Sequence, residues 1–514
     1  MKHNIARFVA VQLGVFALGA YSQAVWAAHS AQEKPVGPAT EQTVQANNAF
    51  AMTLYRRLAQ EHQKGNLFFS PYSLFSALGM TLEGAREETA RQMGAVLRFP
   101  AALRHADSNE QPWDTAVIHT GVADLQRRLT GGPTDPAQAQ DMTNRLTSLE
   151  DELDALNQQL EQRSIYGQFG QTEIDRRAVS VAAEINTLRQ QLNQYELRVA
   201  NALWGEQTFP FQSQFVQALQ QDYGAASFPV DFLPAPDAAR LHINAWIARQ
   251  TNNRIRNMLP PESLDRTSRL VLTNAIYFKG SWANPFQKQS TKTADFTLFD
   301  GRRTPVALMS AQQQRFRYVE LMPDGKKREP IPIDEAPGWT LPPNPDGFQA
   351  LEMPYRGNTL SMLIILPRRH DAIHELEHRL TAEALPTWLV RLSLQDVHVS
   401  LPRFKMETSY SLTKTLSALG MPAAFQAGGF TGMSDVPEAS QLALSQVAHK
   451  AFVHVDEEGT EAAAASAITV RTTSMRIPPP TPVFRADRPF VFLIRDNQTG
   501  TLLFLGRVMQ PQDS

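Results

Sequence analysis

Apolar residues recur along this chain with two periods, and the points where the period changes mark its elements. Phe50, Leu54 and Leu58 follow helical spacing, Asn66 to Ser70 reads as a short strand stopped by Pro71, and Tyr72 to Met80 starts a second helix. Ala451 to Val455, Pro489 to Ile494 and Leu502 to Val508 are dense apolar runs of strand length. Helices and strands mix without regular alternation, which predicts an α+β fold and not a doubly wound sheet.

Two stretches break this pattern. Met142, Leu146, Leu149, Leu153, Leu156 and Leu160 form a heptad seam, which resumes in Ile174, Ala178, Val181, Ile185, Leu188, Leu192 and Tyr195 after a loop near Tyr166 to Gln171. Two seams and a short loop predict an inserted antiparallel helical hairpin over about 136–194, suited to dock a protein partner or to dimerise; the plainer reading is two helices packed on the main body. From Leu321 to Gly347 the chain is rich in proline and charge, and this second insertion predicts a surface loop.

Composition narrows the class. The chain has 514 residues, 42% hydrophobic and 19% charged, with a formal net charge of −2 and no cysteine. That balance gives no reason to expect nucleic acid or an acidic membrane as partner, and the fold must hold without disulfides. Lys2 and Arg7, the apolar run Phe8 to Ala20, and small Val25 and Ala27 predict a signal peptide over 1–27, with a membrane anchor as the alternative. The reading is therefore a secreted or periplasmic protein, free of the membrane after cleavage. Residues 28–45 show no apolar period and are expected to be a flexible lead-in, with the folded domain spanning 46–514.

The segment Asp456 to Ser474 carries the chemistry. From 460 to 474 its even positions, Thr460, Ala462, Ala464, Ser466, Ile468, Val470, Thr472 and Ser474, are small or apolar, while Glu461 and Arg471 fall on odd positions. As a strand it would put both charges on one face and leave the other free to be buried. Four consecutive alanines also favour helix, and Gly459 and the prolines 478–482 suit an exposed loop. An alanine-rich surface linker is the bland alternative.

Seven segments in order resemble the serpin family: NLFFSPYSLFSAL from Asn66, VANALW from Val199, VLTNAIYFKGSW from Val271, LEMPYRGNTLSMLIILP from Leu351, VSLPRFKMETSYSL from Val399, EEGTEAAAAS from Glu457 and FRADRPFVFLI from Phe484. The resemblance implies a serpin fold, with a large central β-sheet, two further sheets, surrounding helices and an exposed reactive-centre loop. It implies a single-use inhibitor of serine proteases, here a secreted bacterial member, with no catalysis or cofactor of its own. The protease would attack the loop, form an acyl-enzyme, and be dragged as the hinge side inserts into the central sheet.

The family places the hinge on Glu457, Gly459, Thr460, Glu461, Ala462, Ala463, Ala464, Ala465 and Ser466, whose small even residues suit burial. Non-inhibitory relatives commonly carry a charged or bulky residue there. Spacing from Gly459 implies a reactive bond at Thr473–Ser474 and an elastase-like target. Counting back from Phe484 keeps Arg471, Met475 and Arg476 open, two of them for trypsin-like enzymes. Ser70, Ser73, Asn274 and His449 match the family's polar gate beneath the inserting strand, and Trp282 the point where insertion begins. Ser310 falls where some relatives put a lysine against Glu457, which implies a looser start to the loop.

One rival motif stands apart. His374, Glu375, Leu376, Glu377 and His378 spell H-E-x-x-H, which on a helix offers two imidazoles to zinc and a glutamate as base. No motif marks a third ligand, so the reading keeps no metal site and treats the stretch as a surface helix.

Overall fold

The computed structural model describes residues 36–105, 108–130, 141–142, 144–149, 151–153, 155–156, 159, 173–191, 195–326, 346–460 and 481–512. It divides into two compact units, one carrying residues 130–194 and the other Gly37–Leu129 with Tyr195–Ser514.

Helix α1 spans Pro38–Glu61, so the chain is already helical within the stretch expected to be a flexible lead-in to residue 45. Pro38 sits in the first turn, where a missing N–H costs nothing. The early buried face is made of Thr40, Thr43 and Val44, with Thr40 Oγ1 donating to Asp124 at 2.9 Å. Hydroxyls in place of large apolar side chains hide the helical period from the sequence. Helix α2 (Pro71–Leu82) is capped by Ser70, whose hydroxyl accepts from Ser73 N at 3.1 Å, and it is buried along its whole length.

Among the described residues six strands form the central sheet: β2 (Tyr195–Glu206), β3 (Ala226–Val230), β4 (Leu270–Ser281), β10 (Phe404–Ser411), β11 (Leu444–Val455) and β12 (Gly459–Thr460). Their order is β10-β11-β12-β4-β2-β3, with β11 and β4 also paired directly and in parallel. Buried on both sides, β4 reads VLTNAIYF as an almost unbroken apolar run. The helix at Pro236–Gln250 places Ile243 and Ile247 in a core with Trp204, Ala275 and Phe452 of this sheet.

The remaining strands are β1 (Leu67–Phe69), β5 (Lys292–Thr297), β6 (Arg303–Leu321), β7 (Phe348–Pro354), β8 (Leu360–Pro367), β9 (Ser393–Pro402), β13 (Val483–Arg485), β14 (Phe490–Asp496) and β15 (Leu502–Val508). Where two further sheets were expected, the ladders among the described residues are continuous. The long β6 pairs with β5 over Arg303–Leu308, with β9 from Leu308 to Tyr318 with a change of register between Ala311 and Gln314, and with β7 over Arg317–Leu321. Leu321, the expected start of the proline-rich insertion, is the buried last residue of β6; residues 327–345 lie outside the described residues.

In the other unit, Leu146, Leu149, Val181, Ile185 and Leu188 form a core of their own. Arg145 Nε donates to Glu184 at 3.1 Å and Arg177 Nε to Glu152 at 2.7 Å. Seven residues forward on one helix match seven back on the other, which makes the pair antiparallel. Tyr195 does not belong to this seam, because it opens β2.

Candidate functional site

Between Leu444 and Phe452, β11 lies directly against β4, ending with Phe452 opposite Tyr277. Beyond that pair the two strands part, and β12 fills the gap: Thr460 stands opposite Val455 on one side and Gly280 on the other. The first two residues of the expected loop thus already form a strand inside the sheet. Thr460 is fully buried, and its hydroxyl shares a 2.8 Å hydrogen bond with Tyr355 Oη. A Cβ on Gly459, whose φ is +156°, would stand 2.1 Å from Gly280 O, so only glycine fits there.

The chain before this strand is tied down on all sides. Trp282 stacks on Tyr355 with centroids 4.7 Å apart and donates from Nε1 to Asp456 O at 3.0 Å. Backbone N–H groups of Trp282 and Phe286 hold the carbonyls of Glu458 and Glu457. Arg403 Nε lies 2.9 and 3.0 Å from the two Glu457 oxygens, Thr291 adds a hydroxyl, and Lys288 Nζ reaches Glu458 at 2.6 Å. Burial works to raise the Glu457 pKa, but the hydrogen bonds from Arg403 and Thr291 outweigh it and hold the carboxyl below its ordinary value. The looser start expected from Ser310 is therefore corrected: Ser310 faces Ser400 at 3.1 Å, and arginine supplies the cation from the loop before β10. Arg403 sits in the quoted motif LPRF, but only the fold shows that this arginine meets Glu457.

Deeper in the sheet the four predicted gate residues come together. His449, Asn274 and Asn201 occupy one row across β11, β4 and β2. Ser70 N donates to His449 Nε2 at 3.1 Å, and the opposite ring nitrogen meets Asn274 Oδ1. Full burial pushes the His449 pKa down to about 3, so the ring is neutral with its proton on Nδ1. Asn274 Nδ2 reaches both Ser73 and Asn201, and Ser70 Oγ donates to Leu503 O at 2.6 Å. Asn201 and Tyr355 were missed as site residues, although both lie inside quoted motifs. This polar row binds the strands side by side and contains no nucleophile and base pair.

A profile of the family described as Serpin (serine protease inhibitor) matches residues 45–164 and 154–511. The chain belongs to the serpin family. Among relatives of this serpin, human (Homo sapiens) Serpin B4 is 31% identical over 469 residues, covering 91% of this chain and 99% of that protein. Leukocyte elastase inhibitor A of Rattus norvegicus is 34% identical over 477 residues, covering 92% and 100%. Uncleaved ovalbumin superposes with a TM-score of 0.64 at 25% identity, covering 91% of this serpin and 99% of its own chain. Serpin48 of the insect Tenebrio molitor superposes with a TM-score of 0.66 at 25% identity, covering 92% and 98%.

Glu461, Ala462, Ala463, Ala464, Ala465 and Ser466 of the hinge, and Arg471, Thr473, Ser474, Met475 and Arg476 around the reactive bond, lie outside the described residues, as does the segment 1–27. The H-E-x-x-H motif does occupy a helix, Ile373–Arg379, but His374 pairs with Glu377 and the motif's Glu375 pairs with Arg369. His374 Nδ1 lies 2.8 Å from Glu377, whose other oxygen accepts from Tyr55 Oη at 2.7 Å and from the fully buried Arg507 at 2.8 Å. This glutamate anchors a helix to the core. Among the described residues no cluster of three or more His, Cys, Asp or Glu is placed to hold a metal.

Proposed function

We propose that this serpin is a single-use suicide inhibitor of serine proteases, with an elastase-like target. The observation that carries the reading is the placement of Gly459 and Thr460 between β11 and β4, at the point where those strands have parted. The alternation beginning at Thr460 continues through Ala462, Ala464 and Ser466, each small enough to be buried in the same gap. A protease serine adds to the Thr473 carbonyl and its proton passes by way of the protease base to the departing Ser474 amine, leaving an ester to the protease. Freed from its distal tether, the hinge side extends β12 as a full strand and carries the protease with it. The uncut loop leaves that pairing unmade, so the intact state persists by a kinetic barrier. Thr473 suits the small pocket of an elastase, and the printed name of the rat relative, leukocyte elastase inhibitor A, agrees.

Residues 1–27 are read as an export signal, which gives a secreted or periplasmic protein of bacterial type. The named curated relatives are mammalian, so this rests on the leader pattern alone. Mature protein beginning at Met1 would sink it.

The inhibitor reading is tested by incubation with an elastase, a trypsin and a chymotrypsin. A band near the summed mass on a denaturing gel, with a released peptide starting at Ser474, is the expected result. A peptide starting at Thr472 or Ile477 moves the target to trypsin-like enzymes. Cleavage of the loop without any covalent band would overturn the trap.

A further inference from the structure

Where β11 and β4 part, the outer face of the central sheet carries a row of basic side chains. The last direct pair of the two strands is Phe452 with Tyr277, and the same register continued by two residues sets His454 across the gap from Lys279. Lys405 stands opposite His454 on β10, and Glu196 stands opposite Lys279 on β2. Cross-strand neighbours share a face, and this face points away from the core: Val455, Gly280 and Thr460 are buried, whereas Lys279 and His454 are half-buried and Lys405 is exposed.

Among the described residues neither Lys279, Lys405 nor His454 has an ion-pair partner, because the acids around them are engaged elsewhere. Glu196 pairs with Arg198 and accepts from Asn252 Nδ2 at 3.1 Å. Glu407, two residues along β10 from Lys405, pairs with Lys450 at 2.7 Å. Asp456, two residues on from His454, accepts from the N–H groups of Glu458 and Gly459 at 2.9 and 3.1 Å, and Arg403 is held by Glu457. The register names the group that completes the row. Thr460 stands opposite Val455 and opposite Gly280 in two antiparallel ladders, so one further residue on β12 would stand opposite His454 and Lys279 at once. That residue is Glu461, and its place in the row lies beyond the Phe452–Tyr277 pair, where the two strands have already separated.

We propose that Lys279 and His454 form the seat of the Glu461 carboxylate as β12 grows, and that His454 makes the hold on the inserted hinge depend on pH. Lys279 is cationic throughout the neutral range, whereas an imidazole changes charge near pH 6.5. The Glu461 carboxylate raises the proton affinity of His454, so the added hold is present below about pH 6.5 and is lost as pH rises through the titration. Lys405 opposes protonation with or without Glu461; it sets the starting value and not the shift. This seat presupposes the inhibitor reading, because it forms as the loop inserts.

The test takes the full chain cut once near Thr473, with isotope-labelled histidine rings followed by NMR. A raised thermal midpoint first establishes that the hinge has inserted. His454→Gln assigns the His454 resonance, whose titration gives its proton affinity; His449, neutral down to about pH 3, stays silent over the range. Glu461→Gln keeps the shape of the side chain and removes its charge. In the cut protein it is expected to lower the proton affinity of His454 about threefold, the worth of one partly exposed cross-strand charge pair. An unchanged His454 titration in Glu461→Gln, with the midpoint still raised by the cut, overturns the seat and leaves the trap standing. A midpoint that does not rise on cutting overturns the inhibitor reading and the seat with it.

Discussion

The Arg403 guanidinium closes on the Glu457 carboxylate, with Nε 2.9 Å from one oxygen and 3.0 Å from the other, in the turn between β11 and β12. Glu457 is almost wholly buried and Arg403 is about a third exposed at 36%. Arg403→Ala leaves the buried carboxylate with Thr291 as its remaining side-chain donor, and is expected to cost about 2 kcal/mol. Urea unfolding measures that cost. Heating the variant is also expected to yield chains linked loop into sheet, visible on native gels at temperatures where the parent stays monomeric.

Thr460 offers a sharper test of insertion, since its side chain is buried against Tyr355 while the chain is still uncut. Thr460→Arg would bury an unpaired charge at a cost of several kcal/mol, so the loop stays outside. Protease cleavage is expected at a normal rate with the covalent band lost, turning the inhibitor into a substrate. An undiminished band would show that Thr460 need not be buried.

The polar row across the sheet makes stability depend on pH. His449 is held neutral with a folded pKa of about 3, well below the ordinary value of 6.5. The unfolded chain binds the proton first as pH falls, so the contribution of this residue is complete above about pH 6.5 and is lost below it, by about 1.4 kcal/mol per pH unit down to about pH 3. Urea midpoints across that range are expected to fall more steeply for the parent than for His449→Gln.

Glu377 gives the outcome that separates the inhibitor from the zinc-enzyme motif. Glu377→Ala strands the fully buried Arg507 and is expected to cost about 3–5 kcal/mol. His378→Ala is expected to leave both stability and protease trapping unchanged. Zinc-dependent peptide hydrolysis abolished by His378→Ala would reverse this assignment.

Sequence and structure agree where apolar period or motif order carries the signal. The heptad positions 146, 149, 181, 185 and 188 meet as expected, and Ser70, Ser73, Asn274 and His449 converge although far apart in the chain. Elements built from small polar residues were less legible: Thr40 and Thr43 face the core of α1 without an apolar signature. Long-range charge pairing was not legible at all. The partner of Glu457 was sought at Ser310 but comes from Arg403, because cross-strand neighbours depend on register and loop path, which local spacing does not encode.

The most direct test of loop insertion is the unfolding midpoint before and after a single cut in the loop near Thr473, made by a protease that does not become trapped. If the hinge side inserts, β12 grows into a full strand paired on both edges, and the midpoint rises clearly although a covalent bond has been broken. An unchanged or lower midpoint, as expected for a nick in an ordinary surface loop, would contradict the account.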